Sequence, residues 1–248
     1  MATVLVTDAF SDLPVLIGPA VRLEPLTEAV FDEYWAALVD PEVSRLTGTH
    51  ATFEAEQVRT VLRHRSEQHD RADWAILRQH DGAFLGEAVI NDFDPHNESA
   101  GYRIWLAGPA HFNHGYGTEA TRLVVDYAFD RIGLHRLELE VFAFNPRARR
   151  VYEKCGFQLE GTLRDALQWD GVFIDTHKMA ILRADPRPGD GAGGRHAPTS
   201  PPSGVMGNRR SADDPRAERT ERSGAGTTRQ RAASVNPGPS APLTSVGR

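Results

Sequence analysis

The sequence predicts an α/β (α+β) domain with a mixed sheet, and three observations support this class. A strand-like run, Ala100–Leu106, leads through a glycine-containing loop into an amphipathic helix over residues 118–132. The alternating run at residues 135–142 is typical of a half-buried strand. Two turn signals, His80-Asp-Gly82 and Trp169-Asp-Gly171, predict antiparallel hairpins on either side of this unit.

The first part of the chain predicts one strand and two helices. Val21–Pro25 is a short strand, and Thr27 is a suitable N-cap for a helix that ends near Val39. Apolar residues recur there at helical spacing, which predicts a buried face. A second helix is expected over residues 53–68.

Three antiparallel strands should follow. Trp74–Leu77 and Phe84–Ile90 flank the first turn, and the turn Asp94–Asn97 precedes the strand Ala100–Leu106.

The final part of the domain predicts a short helix and a long hairpin. Asn145 is the N-cap and Pro146 the first residue of a helix that ends at Cys155. Gly156 ends this helix, and the strands 156–168 and 172–182 surround the second turn.

The chain divides at about residue 184 into a domain, 1–183, and a tail, 184–248. The tail contains no Phe, Trp, Tyr, Ile or Lys and is rich in Gly, Pro, Ser, Ala and Arg. Such a segment buries too little apolar surface to offset its chain entropy, so we expect it to be disordered. It has ten Arg and six acidic residues, so the chain's net charge of −6 leaves −10 on residues 1–183.

Composition excludes several classes of function. An acidic domain argues against nucleic acid as a partner. The single cysteine, Cys155, excludes an internal disulfide and favours a reducing cytoplasm. We expect no membrane span, because no apolar run approaches the ~20 residues that a span needs, and no signal peptide, because Met1–Val6 contains no basic region followed by a long apolar one. The histidines show no metal-ligand spacing, so no metal is expected.

The loop at residues 111–117 is the strongest candidate for a binding site. Gly115 and Gly117 have no Cβ, so the backbone is free to turn tightly and to approach a ligand closely. The helix behind them presents unpaired N–H groups and the positive end of its dipole. This combination binds phosphate without a charged side chain.

The segments Gly115–Ala120, Asn145, Tyr152–Phe157 and Leu163-Arg-Asp165 together resemble the GNAT superfamily of N-acetyltransferases. The likeness runs from about Leu13 to about Arg183 and is greatest to the ribosomal-protein N-acetyltransferase branch. It implies a mostly antiparallel, twisted sheet with one splayed parallel strand pair and flanking helices. It also implies acetyl-CoA as co-substrate.

The resemblance assigns residues to the cofactor. The pantetheine arm would lie between the splayed strands, paired with the backbone of Trp105 and Leu106 and with Asn145. The pyrophosphate would lie on the loop that contains Asn113, His114, Gly115, Tyr116, Gly117 and Thr118. Phe112 stands where the family usually has Gln or Arg, so backbone amides would hold the pyrophosphate, assisted by His114 or Asn113.

The resemblance also suggests Tyr152 as general acid and Glu140 as general base. A phenol with a pKa near ~10 remains protonated at neutral pH and is able to protonate a departing thiolate. Activity should then fall at high pH as the phenol ionises. Tyr152 as a packing residue, and Glu140 as a solvated partner of Glu138, are the alternatives.

The sequence therefore predicts transfer of an acetyl group to a primary amine within a ternary complex. An N-terminal α-amine of a protein or peptide is the favoured acceptor, and a small molecule such as an antibiotic or polyamine is the alternative. A non-catalytic acyl-CoA sensor is a third possibility. A dinucleotide-binding domain is excluded because Ala120 stands at the third glycine position of that fingerprint. The chain is expected to be a monomer or a homodimer.

Overall fold

Eight strands form one sheet in the computed structural model, which describes residues 10–188. The strands are β1 (Leu16–Ile17), β2 (Val21–Pro25), β3 (Ala72–Arg78), β4 (Phe84–Asp94), β5 (Ser99–Leu106), β6 (Arg136–Phe142), β7 (Gln158–Trp169) and β8 (Val172–Leu182). The helices are α1 (Phe31–Leu38), α2 (Pro41–Thr47), α3 (Ala55–Arg63), α4 (Tyr116–Tyr127) and α5 (Pro146–Lys154). The strand order across the sheet is β1-β2-β3-β4-β5-β6-β8-β7. The predicted fold class is confirmed.

The parallel pair β5 and β6 separates along its length, whereas the other neighbouring strands are antiparallel. Ser99–Gly101 pairs with Arg136–Glu138, and no later pair between these two strands is recorded in the described part of the chain. The backbone edges of β5 and β6 therefore diverge and leave a gap, as the resemblance implied.

Two apolar cores lie on opposite faces of the sheet. On one face α4 and α5 pack with residues that include Ala120, Val124 and Cys155, all buried. On the other face α1, α2 and α3 pack against a cluster that includes Phe84 and Trp105. Because burying one large apolar side chain contributes about 1.5–3 kcal/mol, these two cores fix the helices on the sheet.

The first turn of α4 is attached to β2 through one carboxylate. Glu119 Oε1 accepts hydrogen bonds from the backbone N–H of Ala20 at 2.8 Å and of Val21 at 2.9 Å. A carboxylate in the first turn is also stabilised by the helix dipole. At its other end α4 continues through a π-helical turn, Ala128–Ile132.

The first third of the chain contains one helix and one strand more than predicted, α2 and β1. Asp40 Oδ1 accepts from the N–H groups of Glu42 and Val43, and Pro41 occupies the first helical position. Gly48, in the left-handed region at φ 66°, ends the helix after seven residues. These capping signals are present in the sequence, but the helix is too short for a periodic pattern. Thr27 caps as predicted, although its helix begins with a 3₁₀ turn.

Most of the predicted tail lies outside the described residues. Within its first five residues, Arg187 forms ion pairs with Asp126 at 2.8 Å and with Asp130 at 3.2 Å. The expectation that the chain has no signal peptide concerns residues 1–6, which also lie outside the described range. No helix within residues 10–188 is long and apolar enough to cross a membrane.

Gly86 is a position at which only glycine fits. Its φ is 149°, and a Cβ there would collide with the carbonyl oxygen of Trp105 on β5. We expect Gly86→Ala to reduce the free energy of unfolding by at least about 2 kcal/mol, measured by urea denaturation. Gly161→Ala is the matched control, since a Cβ at Gly161 meets nothing within 4 Å. Equal stability of the two variants would contradict this reading of β4 and β5.

Candidate active site

A cavity of about 450 Å³ lies where β5 and β6 separate, bounded also by α2, the glycine loop and α5. Ten of the eleven residues predicted for the site line it: Trp105, Leu106, Asn113, Gly115, Tyr116, Gly117, Thr118, Glu140, Asn145 and Tyr152. His114 does not line the cavity; its exposed ring stacks on Tyr116 with centroids 5.4 Å apart. His111 lines the cavity instead, and burial lowers the pKa of its imidazole.

The glycine loop turns at Asn113 and Gly115, both in the left-handed region at φ 64° and 84°. Gly115 is the N-cap of α4, and no side chain caps this end of the helix. The first N–H groups of any α-helix lack partners within the helix. Residues 116–118, which supply them here, all line the cavity. The loop is therefore suited to bind an anion.

Gly115 and Gly117 are needed for different reasons, whereas the sequence interpretation treated them alike. Gly117 lies inside the helix, and a Cβ there would meet only Leu106 Cδ1, at 3.9 Å. Only Gly115 needs the left-handed conformation that glycine favours. Gly117 therefore leaves space for a ligand rather than permitting a turn.

The backbone of Trp105 faces β4, not the gap. Its carbonyl oxygen points towards Gly86, and the neighbouring Ala107 N–H donates to Leu85 O at 2.8 Å. Because backbone groups alternate along a strand, those of Ile104 and Leu106 face the gap. The backbone pairing with a ligand that the sequence suggested for Trp105 therefore moves to Ile104. The Leu106 carbonyl already accepts from Gly108 N–H at 2.7 Å.

Tyr152 on α5 has a buried ring, 6% exposed, that meets Tyr102 and Phe157 edge-on. Burial raises the pKa of its phenol well above the usual range. None of the hydrogen bonds found among the described residues involves this hydroxyl, and the side chain lines the cavity. Tyr152 is therefore placed to donate a proton to a ligand.

Glu138 and Glu140, two residues apart on β6, have different surroundings. Glu138 forms ion pairs with Arg136 at 2.9 Å and with Lys178 at 2.9 Å, and these bonds lower the pKa of its carboxyl against the opposing effect of burial. Glu140 lines the cavity, and burial raises the pKa of its carboxyl. Glu140 is the member of the pair that is available to a ligand.

Asn145 caps α5 as predicted. Its side-chain oxygen accepts from Ala148 N–H at 3.1 Å. The amide nitrogen of the same side chain remains as a donor, and Asn145 lines the cavity. Capping and ligand binding are thus compatible at this residue.

Glu87 on β4 is a cavity residue that sequence reasoning missed. Its buried carboxylate accepts from Trp105 Nε1 at 2.7 Å and from the Tyr34 hydroxyl at 3.5 Å. Burial, followed by the charge of Asp73, raises the pKa of Glu87. A signal was available, because a single carboxylate interrupts the apolar run Phe84–Ile90.

The charged side chains of the cavity wall are mostly basic. They are Arg103, Arg147, Arg150 and Lys154 against Glu87 and Glu140. No group of three or more potential metal ligands is found within residues 10–188. The wall thus suits an anionic ligand that ends beside one available carboxyl group and one phenol.

Comparisons with known proteins agree with this geometry. The model of a family described as Acetyltransferase (GNAT) domain matches residues 20–158. A probable N-acetyltransferase, YjcK, of Bacillus subtilis is 33% identical over 135 residues, which cover 54% of this chain and 75% of the relative.

Two further relatives have more specific names. A spermidine N(1)-acetyltransferase of Vibrio cholerae is 29% identical, covering 47% of this chain and 67% of the relative. A putative ribosomal N-acetyltransferase, YdaF, of Bacillus subtilis is 29% identical, covering 43% of this chain and 57% of the relative. Among solved structures, a GCN5-related N-acetyltransferase from Brucella melitensis has a TM-score of 0.58 and 26% identity. That match covers 70% of this chain and 80% of the other.

Proposed function

The chain belongs to the GNAT acetyltransferase family, and we propose that its acceptor is the N-terminal α-amine of a protein or peptide. As a member of that family it is an N-acetyltransferase that uses acetyl-CoA. The residues present fit this co-substrate. The strand edges that diverge after Gly101 match an amide-containing arm, and the open first turn of α4 matches a diphosphate.

Acetyl-CoA, when bound, supplies the acetyl thioester. Glu140 accepts a proton from the acceptor ammonium, directly or through water, so that the neutral amine attacks the acetyl carbon. Tyr152 holds its proton until the carbon–sulfur bond breaks and then donates it to the sulfur. The second proton of the attacking nitrogen replaces it on the phenolate, through water, so that each transfer releases one net proton, the one that Glu140 accepted. Asn145 and the N–H groups of the loop orient the bound molecule. Each role requires a group that lines the cavity, and these groups do.

The modest basicity of the site favours an α-amine over a lysine side chain. An α-amine with a pKa of ~7.7–8.0 is roughly one tenth neutral at pH 7. A lysine amine with a pKa of ~10.4 costs about 4–5 kcal/mol to deprotonate at that pH. Glu140 is a single half-buried carboxylate with a raised pKa, and the other acidic wall residue, Glu87, already accepts two hydrogen bonds.

The charge of the cavity wall supports this acceptor most directly. Bound acetyl-CoA would occupy the basic side chains of the wall, and of the two acidic wall residues Glu87 already accepts two hydrogen bonds, so the acceptor meets the single carboxylate of Glu140, which matches one positive charge rather than several. An α-amine brings one positive charge, and the rest of a peptide is free to be neutral.

Spermidine is the second candidate, because relatives of similar identity are named for it. An acceptor panel at pH 7 separates the two. It contains a lysine-free peptide with a free N-terminus, an N-acetylated peptide with one lysine, and spermidine, and it measures thiol release and product mass. We expect kcat/KM for the free N-terminus to exceed the others at least tenfold.

Faster turnover of spermidine than of the free peptide would replace the proposed acceptor with a polyamine. Tight binding of acetyl-CoA without thiol release from any acceptor would favour a non-catalytic sensor.

A further inference from the structure

Helix α5 presents three basic side chains to the cavity, Arg147, Arg150 and Lys154. Their spacing of three and four residues places them on one face of the helix. Arg149 differs, because it forms an ion pair with Glu153 at 2.8 Å and is not a wall residue. The basic residue that does not face the cavity is thus neutralised within the helix.

Arg147 is held in place by an aromatic ring rather than by an acid. Its guanidinium carbon lies 3.5 Å from the centre of the Phe112 ring, in the loop that leads to α4. Within residues 10–188, no carboxylate lies within ion-pair distance of this guanidinium. Glu42, whose charge acts on Arg147, already binds Arg45 at 2.8 Å. The guanidinium therefore has both a fixed position and unused donors.

The loop itself lacks a strong cation. Residues 111–118 contain two histidines but no Arg or Lys, so the loop offers a diphosphate backbone N–H groups and neutral polar side chains but no permanent positive charge. Because the Arg147 guanidinium stacks on Phe112, it places a permanent positive charge from α5 beside this loop. A guanidinium has a planar set of donors that matches phosphate oxygens, and stacking on a ring fixes that plane.

We infer that Arg147, oriented by Phe112, binds the diphosphate of CoA and is a binding residue for the co-substrate. The inference deepens the proposed function, since it rests on the use of acetyl-CoA. The positive charge that binds the diphosphate would thus come from α5, which follows β6, and not from the loop that follows β5.

Calorimetric titration with CoA, without acceptor, tests the inference. Arg147→Ala should weaken CoA binding about 10- to 30-fold. The dissociation constant of pantetheine, which has the arm but no phosphate, should change less than twofold when it is measured by competition with CoA. Arg149→Ala is the matched control, with the same helix and charge, and should leave both constants within twofold. Arg147→Lys should restore part of the CoA affinity, because it keeps the charge but loses the planar donors.

Phe112→Leu is a second variant, which keeps the guanidinium but removes the ring that orients it. It should weaken CoA binding by a smaller factor, about three- to tenfold, again without affecting pantetheine. The inference is overturned if a folded Arg147→Ala protein binds CoA within threefold of wild type, or loses CoA and pantetheine affinity equally. Because no acceptor is present, such a failure would leave the proposed acceptor untouched.

Discussion

Tyr152→Phe should lower kcat by about 10²–10⁴-fold, equivalent to roughly 3–5 kcal/mol of barrier, while KM for acetyl-CoA changes little. The substitution removes only a hydroxyl that no described residue bonds, so the packing against Tyr102 and Phe157 should persist. Steady-state kinetics with a saturating α-amine acceptor measures the effect, and circular dichroism confirms the fold.

Tyr102→Phe is the matched control. Its hydroxyl lies in the same wall but donates to Thr121 Oγ1 at 3.0 Å, which engages it internally. This variant should lose some stability, about 0.5–1.5 kcal/mol, and keep kcat within about threefold. If Tyr152→Phe retained more than a third of wild-type kcat with chemistry rate-limiting, Tyr152 would be a packing residue.

The burial of Tyr152 also determines how activity should vary with pH. A raised pKa keeps the Tyr152 phenol protonated to a higher pH than an ordinary tyrosine. The sequence-based expectation that activity falls as an ordinary phenol ionises is therefore revised. Activity should rise as the acceptor amine deprotonates and then remain level to about pH 10, where a free phenol would already be half ionised. A decline centred near pH 9 that Tyr152→Phe abolishes would contradict the raised pKa of this phenol, although it would still identify Tyr152 as the titrating group.

Gly117→Val should weaken CoA binding by about 2–4 kcal/mol without destabilising the protein. The residue is helical and its Cβ would have room, so the fold should accept a side chain. Valine is also a better helix former than glycine. The new methyl groups, however, would occupy the space in which a diphosphate meets the first N–H groups of α4.

Gly115→Ala provides the contrast. At φ 84° any side chain is strained, so this variant should lose about 1 kcal/mol or more of stability as well as affinity. Calorimetry and thermal unfolding on both variants separate the two effects. Unchanged CoA affinity in a folded Gly117→Val protein would remove the diphosphate site from this loop.

Local sequence signals were enough to predict most strands, the caps at Thr27 and Asn145, and the residues that surround the gap. Each of these depends on neighbours within a few positions along the chain, which a single sequence displays. The prediction that Glu138 and Glu140 share one side of β6 was also confirmed, but the sequence did not show which of the two is free to meet a ligand. Lys178 determines this, because it lies on β8, pairs with Glu138 in the folded chain and leaves Glu140 to the cavity.

Other features depended on contacts between distant segments. The orientation of the Trp105 carbonyl follows from pairing with β4 at Gly86, which the composition of β5 does not reveal. In the sequence, Phe112 stands where the family usually has Gln or Arg, so the loop lacks that side chain. In the structure Arg147, 35 positions further along the chain, stacks on the Phe112 ring. His114 was selected for its place in the loop, but the turn at Asn113 and Gly115 leaves it outside the cavity.

Because β5 and β6 pair over a short length, the stability of the fold should depend on the ligand that fills the gap between them. Within residues 10–188, the strand pairing between the first five strands of the sheet and the last three comprises three residue pairs. A ligand that hydrogen-bonds to both edges acts as a missing strand and makes unfolding of the two halves more cooperative. At one hundred times its Kd such a ligand adds about 2.7 kcal/mol to the unfolding free energy. Binding of acetyl-CoA should therefore protect the backbone N–H groups along β5 and β6 from hydrogen exchange as well as position the thioester.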